Sequence, residues 1–197
     1  MDKKLRIIGL AGTNGSGKDS VGQLLSHYHN YLFVSVTDLL RNELKTRDLP
    51  ITRENLRMVS ATWRAEKGLG MLMDMAMAAY ETVKDQYNGI VISSLRHPGE
   101  ADRVHELGGI VVWVDADPRI RYERIQANAK ARGRSGEDNK TYGQFMIEEA
   151  SEMNGLVGDD DTALSMSAVK QRSDIQIDNT QPDQVNLRIT VEKALGL

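Results

Sequence analysis

The sequence contains no cysteine. That absence excludes disulfides and any thiolate metal site, and it fits a reducing compartment. Also missing is any apolar run near the roughly 20 residues needed to span a bilayer. The opening MDKKLRIIGLAG carries a short apolar run that leads straight into glycines, without a cleavage site, so no secretory leader is expected. Internal repeats, low-complexity tracts and Pro/Gly/Ser linkers are absent as well. So is a basic excess: 25 Lys and Arg stand against 28 Asp and Glu, for a formal net charge of −3. Nucleic acid binding usually needs a broad basic face. Nucleic acid is therefore not expected as the main partner, and any basic site must be local. A cytoplasmic location, with no membrane contact, is expected.

What is present is ordinary for a globular chain: 40% hydrophobic and 27% charged residues over 197 positions. That length suits a single domain, 1–197, with a sizeable core. Short apolar runs recur at 5–11, 31–36, 89–93, 109–115 and 173–178. They are apolar on both faces, as buried parallel strands are. Segments of helical period lie between them, which predicts a doubly wound α/β sheet. Thr52 reads as a helix N-cap with Glu54 in the first turn. Pro98 and Pro118 sit where helices begin after strand ends. In GMLMDMAMAAYE, residues 70–81, the methionines fall on two helix faces, which predicts a helix buried on two sides.

The stretch GTNGSGKDS, Gly12 to Ser20, follows the first strand and opens a helical pattern. That is the context of a phosphate-binding loop. Gly12, Gly15 and Gly17 permit positive φ and bring backbone N–H groups to phosphate oxygens at a helix N-terminus. Lys18 adds a mobile positive charge for the β- and γ-phosphates. The loop as a whole (Gly12, Asn14, Gly15, Ser16, Gly17, Lys18, Asp19 and Ser20) is expected to hold ATP phosphates. The last motif position normally carries a hydroxyl for Mg²⁺; here it is Asp19. Ser20 does not substitute, because one step along a helix turns a side chain by about 100°. A carboxylate is a good Mg²⁺ ligand, directly or through water, so Asp19 is expected to help position Mg²⁺ with ATP.

Phosphate loops serve switches, motors and kinases. The N/T-K-x-D base-reading motif of a GTPase switch is missing. Motors and AAA-type ATPases are generally longer and end an apolar strand in Asp or Asp-Glu. Here GIVIS runs into Ser93-Ser94-Leu95-Arg96. A small-molecule kinase must hold two anionic substrates, and it gathers arginines to do so. Arg41 follows the second strand. Arg53, Arg57 and Arg64 share a helix face with Ser60, beside an apolar stripe of Leu56, Val59 and Trp63. Arg96 stands at the C-terminal end of a strand, where open α/β sheets bind ligands. A basic segment holds Arg119, Arg121, Arg124, Lys130, Arg132 and Arg134. Of these cations, Arg57, Arg119 and Arg121 are expected as solvated surface charges. Glu148, Glu149 and Glu152 are expected on a solvated helix face. The four histidines, 27, 29, 97 and 105, are expected to be surface or packing residues. Trp63, Tyr80 and Phe145 are expected in the core. GDDD, 158–161, looks like a helix start.

In sum, the chain resembles the nucleoside monophosphate kinase-like group of P-loop kinases: adenylate kinase, deoxynucleoside monophosphate kinase and dephospho-CoA kinase. VSVTDLLR is similar to the acceptor-binding segment of adenylate kinases in Asp38, Leu40 and Arg41. GSGKD resembles the loop ending of phage deoxynucleoside monophosphate kinases and phosphomevalonate kinases. LRHPGE, 95–100, VDADPRIRYERI and SDIQIDNT resemble the group's third-strand turn, lid helix and last strand. One departure is Ser93-Ser94, where related kinases often carry an acidic D-G.

The resemblance implies a P-loop NTPase-type parallel sheet of five strands, helices on both faces and a small helical lid at about 119–150. It implies ATP with Mg²⁺, and γ-phosphoryl transfer to a small phosphorylated acceptor, a nucleoside or deoxynucleoside monophosphate. Asp38, Arg41, Arg53, Arg64 and Arg96 would bind the acceptor. Arg124, Arg132 and Arg134 would close over the donor. Lys18, Arg96 and Arg124 would be catalytic, and Asp19 and Asp38 would serve the metal. Dephospho-CoA kinase, a phosphomevalonate-type kinase and a non-catalytic ATP-binding regulator remain as alternatives.

Overall fold

Along IIGLA the side chains alternate, so Ile8 and Leu10 point to one layer and Ile7 and Ala11 to the other. All five residues of this strand, β1 (Ile7–Ala11), are buried. It is the central strand in a computed structural model of the protein, which describes residues 7–129, 140–154, 163–181 and 183–197. Around it lie β2 (Tyr31–Ser35), β3 (Gly89–Leu95), β4 (Ile110–Asp115) and β5 (Ile175–Asp178). The sheet is parallel throughout, in the order β2-β3-β1-β4-β5. The expected five-stranded doubly wound sheet is therefore what forms.

Helices cover both faces. Helices α1 (Lys18–His29) and α9 (Gln184–Leu195) pack Val21, Leu25, Leu187 and Val191 against Ile8, Leu10 and Val112. The opposite layer holds α2 (Val36–Thr46), α3 (Arg53–Lys67), α4 (Met71–Glu81), α5 (Pro98–Glu106) and α8 (Met166–Gln171). Thr52 Oγ1 accepts from Asn55 N at 3.2 Å, as its N-cap signal predicts. Pro98 and Pro118 open α5 and α6 (Pro118–Asn128). In α4, Met71 and Met73 are buried, and Met75 and Met77 pack against the same core. Trp63, Tyr80 and Phe145 are core residues.

β3 runs two residues past the expected end, and the extension is irregular. Leu10 pairs with Ser93 and Ala11 with Leu95, so Ser94 is bulged out of register. Its φ is 76°, a left-handed value that few non-glycine residues adopt. The bulge turns the end of β3 beside the glycine loop.

The segment expected as a lid starts within α6 and ends within α7 (Tyr142–Asn154). Tyr122, Tyr142 and Phe145 join the two helices, with ring centroids 5.4–6.2 Å apart. Arg132, Arg134 and the GDDD stretch lie outside the described residues. Among the described residues, no helix is long and apolar enough to cross a membrane.

Candidate active site

The glycine loop joins β1 to α1, and all three of its predicted positive φ values are present: 147° at Gly12, 81° at Gly15 and 90° at Gly17. Gly17 also has a close neighbour, because an added Cβ would overlap Asn179 Nδ2. Asn179 is buried after β5 and ties the loop from behind. Its Nδ2 donates to Ser16 O at 2.8 Å, and its backbone N to Asp115 O at 2.7 Å. Sequence alone placed this segment near the donor only through resemblance. Ser16 Oγ is buried without a hydrogen-bond partner among the described residues, an orphaned donor inside an anion-binding loop. Lys18 is buried and reaches the cavity, with Asp19 and Ser20 at its mouth.

The two departures noted in the sequence meet in space. Ser93 Oγ donates to Asp19 Oδ1. The hydroxyl at the end of β3 thus orients the carboxylate at the end of the phosphate loop.

The cavity beside the loop has a volume of about 900 Å³. Thr37, Leu40 and Arg41 of α2 line it, and so do Arg53, Arg57 and Arg64 of α3, with Ser94 and Arg96. Asp38 is the exception among the expected acceptor residues. Helix α2 begins at Val36, so residues 37, 40 and 41 share the cavity face and Asp38 is rotated off it. Its side chain is 63% exposed and pairs with Arg41 at 3.3 Å.

Arg64 takes a different part from the other arginines. It is buried against Glu100 at 2.8 Å, in an ion pair closed to solvent. Glu100 also accepts from the backbone N of Arg96 at 2.7 Å and of His97 at 3.1 Å. Arg64 therefore braces the turn that presents Arg96. His97 caps α5 by accepting from Gly99 N at 3.0 Å, a packing role as expected.

Two expectations about surface charge are corrected on α7, at Glu149 and Glu152, while Glu148 keeps an exposed side chain. Glu148 pairs with Arg53 at 2.7 Å and with Lys140. Glu149 pairs with Arg121. Glu152, only 8% exposed at its side chain, lies 3.4 Å from Arg96, 3.6 Å from Arg57 and 3.8 Å from Arg53. Burial pushes the Glu152 pKa up, but Arg96, Arg53, Arg57 and Lys18 together hold it below the usual glutamate value. Arg57 thus belongs to the cavity despite its exposure. Arg121 is buried, donating to Ala116 O at 2.8 Å and to Thr13 Oγ1 at 2.7 Å as well as to Glu149. It backs the phosphate loop instead of facing solvent. No sequence signal marked these partners, because helical period sorts charges onto faces without saying what each face meets.

Arg124 Nη2 donates to Asn179 O at 2.8 Å and Gln181 O at 3.3 Å. Its Nη1 is buried and has no hydrogen-bond partner among the described residues, and burial lowers the pKa of the guanidinium. Arg124 lines the cavity.

A family model described as an AAA domain matches residues 8–144, well over half of the chain. The chain belongs to this AAA-domain family. A UPF0200 protein from Pyrococcus abyssi is 30% identical over 157 residues, covering 78% of this chain and 81% of the relative. Among solved structures, a shikimate kinase from Bacteroides thetaiotaomicron aligns with a TM-score of 0.57 at 11% identity, over 98% of this chain and 99% of that one. A gluconokinase from Sinorhizobium meliloti aligns with a TM-score of 0.51 at 19% identity, over 98% and 91%. Both likenesses show the fold of P-loop kinases. In this AAA-domain chain the C-terminal part of β3 carries Ser93-Ser94 in place of the acid.

The fit of this AAA-domain protein to a magnesium ion follows from its donor set. Among the described residues there is no group of three or more His, Asp or Glu able to hold a metal. One carboxylate, Asp19, stands exposed at the loop mouth and is oriented by Ser93. Mg²⁺ commonly binds through one or two carboxylates plus substrate phosphates and water. The residues fit an ion that arrives with a nucleotide and do not form an all-protein cage.

Proposed function

We propose that the protein is an ATP-dependent small-molecule kinase that transfers the γ-phosphoryl group to a nucleoside or deoxynucleoside monophosphate. The observation that carries this reading is the pairing of two anion sites in one cavity. The phosphate loop and Arg41, Arg53, Arg57 and Arg96 line the same cavity. A switch or motor has no need of the second site. Catalysis in this reading is positioning and charge stabilisation, with no covalent intermediate. Loop amides and Lys18 hold the donor phosphates. The arginines align an acceptor phosphate oxygen with the γ-phosphorus, and that oxygen forms the new P–O bond as ADP leaves. Arg124 covers the donor and excludes water. Asp19 would hold Mg²⁺ brought with ATP, and the ion would neutralise charge on the β- and γ-phosphates.

A second reading is favoured by one observation. The guanidiniums of Arg53, Arg57 and Arg96 surround the carboxylate of Glu152, so a carboxylate-bearing acceptor is chemically compatible. The shikimate kinase and gluconokinase among the fold neighbours make sugar acids and cyclic hydroxy acids the natural members to include.

A coupled ADP-release assay with ATP and Mg²⁺ decides between them. The panel holds the common nucleoside and deoxynucleoside monophosphates, dephospho-CoA, phosphomevalonate, shikimate and gluconate. Turnover of a monophosphate is expected, with altered magnesium dependence in Asp19→Ala. Turnover of another acceptor alone would replace the proposal, and slow hydrolysis indifferent to every acceptor would point to a non-catalytic regulator.

A further inference from the structure

Glu152 differs from the other acids that pair with the cavity arginines. Glu148 closes on Arg53 at 2.7 Å and Glu100 on Arg64 at 2.8 Å, the usual length of a charge-assisted hydrogen bond. The three approaches to Glu152, at 3.4, 3.6 and 3.8 Å, are all longer. Its carboxylate is shared among three guanidiniums and locked to none. The three come from two places, α3 and the turn after β3, and they converge on one carboxylate. Convergent guanidiniums form a phosphate site as readily as a carboxylate site, because the planar fork matches either anion.

Helix α7 does not depend on Glu152 to stay docked. Glu148 ties it to α3, Glu149 ties it to α6, and Phe145 is buried in the aromatic cluster between α6 and α7. The Glu152 side chain is therefore able to leave the cluster by changing rotamer while the helix remains in place.

We infer that Glu152 is a built-in competitor for the substrate's anionic group: its carboxylate occupies the cluster of Arg53, Arg57 and Arg96, and an anionic acceptor binds by exchange with it. Naming the ligand an acceptor rests on the kinase reading above; the exchange of anions does not. The arrangement sets a charge threshold. A phosphate monoester, with two charges and three terminal oxygens, displaces a single carboxylate. A neutral hydroxyl compound or water does not, so the cluster stays filled until a suitable anion arrives.

The test titrates inorganic phosphate by calorimetry into the full chain, with the phosphate loop first saturated by Mg²⁺ and a non-hydrolysable ATP analogue. Glu152→Gln keeps shape and removes charge, and its phosphate affinity is expected to rise about tenfold, within the range typical of coupled ligands. Adding Arg57→Ala to that variant should abolish the gain. Glu148→Gln releases Arg53 from one carboxylate but leaves Glu152 seated among the three guanidiniums, so its gain in phosphate affinity should be clearly smaller than that of Glu152→Gln. A thermal melt of each variant confirms that it is folded. Unchanged affinity in Glu152→Gln, an equal gain in Glu148→Gln, or a gain that survives Arg57→Ala would overturn the inference. A gain in phosphate affinity with no turnover of any acceptor would remove the kinase reading and leave the exchange standing.

Discussion

Arg121 shows how much one side chain carries without touching the cavity floor. Its guanidinium is 2% exposed as a residue and meets Thr13 of the phosphate loop, Ala116 O and Glu149. Removing it leaves a carboxylate enclosed and unpaired, which is far costlier than removing the pair. Arg121→Ala is expected to lower unfolding free energy by about 3–5 kcal/mol. The double change Arg121→Met with Glu149→Leu should recover most of that loss in urea titrations. If the single and double variants lost equal stability, the ion pair would not be the cause. The sequence could not foretell this residue, since six basic side chains stand in the segment 119–134 and nothing ranks them. The glycine loop was legible for the opposite reason: positive φ, a lysine and a helix start are local demands, and three glycines in register meet them.

At the scale of elements, α7 is the part that sequence reading missed. Its three acids are spaced so that Glu148 and Glu152 face α3 while Glu149 faces α6. The helix itself was foreseen, but its face was taken for solvent. An acidic helical face reads the same whether it meets water or arginines. Helix α2 gives the converse lesson. Asp38 was picked out by resemblance, and the start of α2 at Val36 rotates it away. The strands, by contrast, were placed to within about two residues at their described ends, because runs apolar on both faces have one home in a covered parallel sheet.

The electrostatic role of α7 has a pH signature. Glu152 has a folded-state pKa below its ordinary value of 4.5, despite burial, because four cations surround it. Such a group contributes stability above its unfolded pKa and loses it as pH falls through the folded pKa. Wild-type melting temperature should fall as pH drops below about 4.5, and Glu152→Gln should flatten part of that decline. Asp115 adds to the same acid-side slope. Burial raises its pKa, while Trp113, Lys170 and the backbone N of Ala116 draw it below normal. Identical pH profiles for wild type and Glu152→Gln would remove Glu152 from the account.

For the molecule as a whole, the decisive contrast is between net charge and local charge. The chain carries −3, yet the described cavity lining holds seven Lys and Arg side chains against four Asp and Glu. The negative balance is thus distributed over the rest of the surface, and the sheet's C-terminal edge is a positive island. Fields of this kind draw small anions inward and are screened over a Debye length of roughly 8–10 Å near physiological salt. Arg53, Arg57 and Arg96 remain partly open to solvent, while Lys18 is buried. Under the proposed kinase function, salt should therefore act mainly on acceptor capture. Raising KCl from about 50 to about 300 mM is expected to increase the acceptor KM by roughly threefold or more while kcat changes little. Initial-rate measurements at fixed saturating ATP and Mg²⁺ check this. A fall in kcat with an unchanged KM would mean that salt acts on the phosphate loop or on α7 instead. Then the cavity arginines would not be the element that gathers substrate.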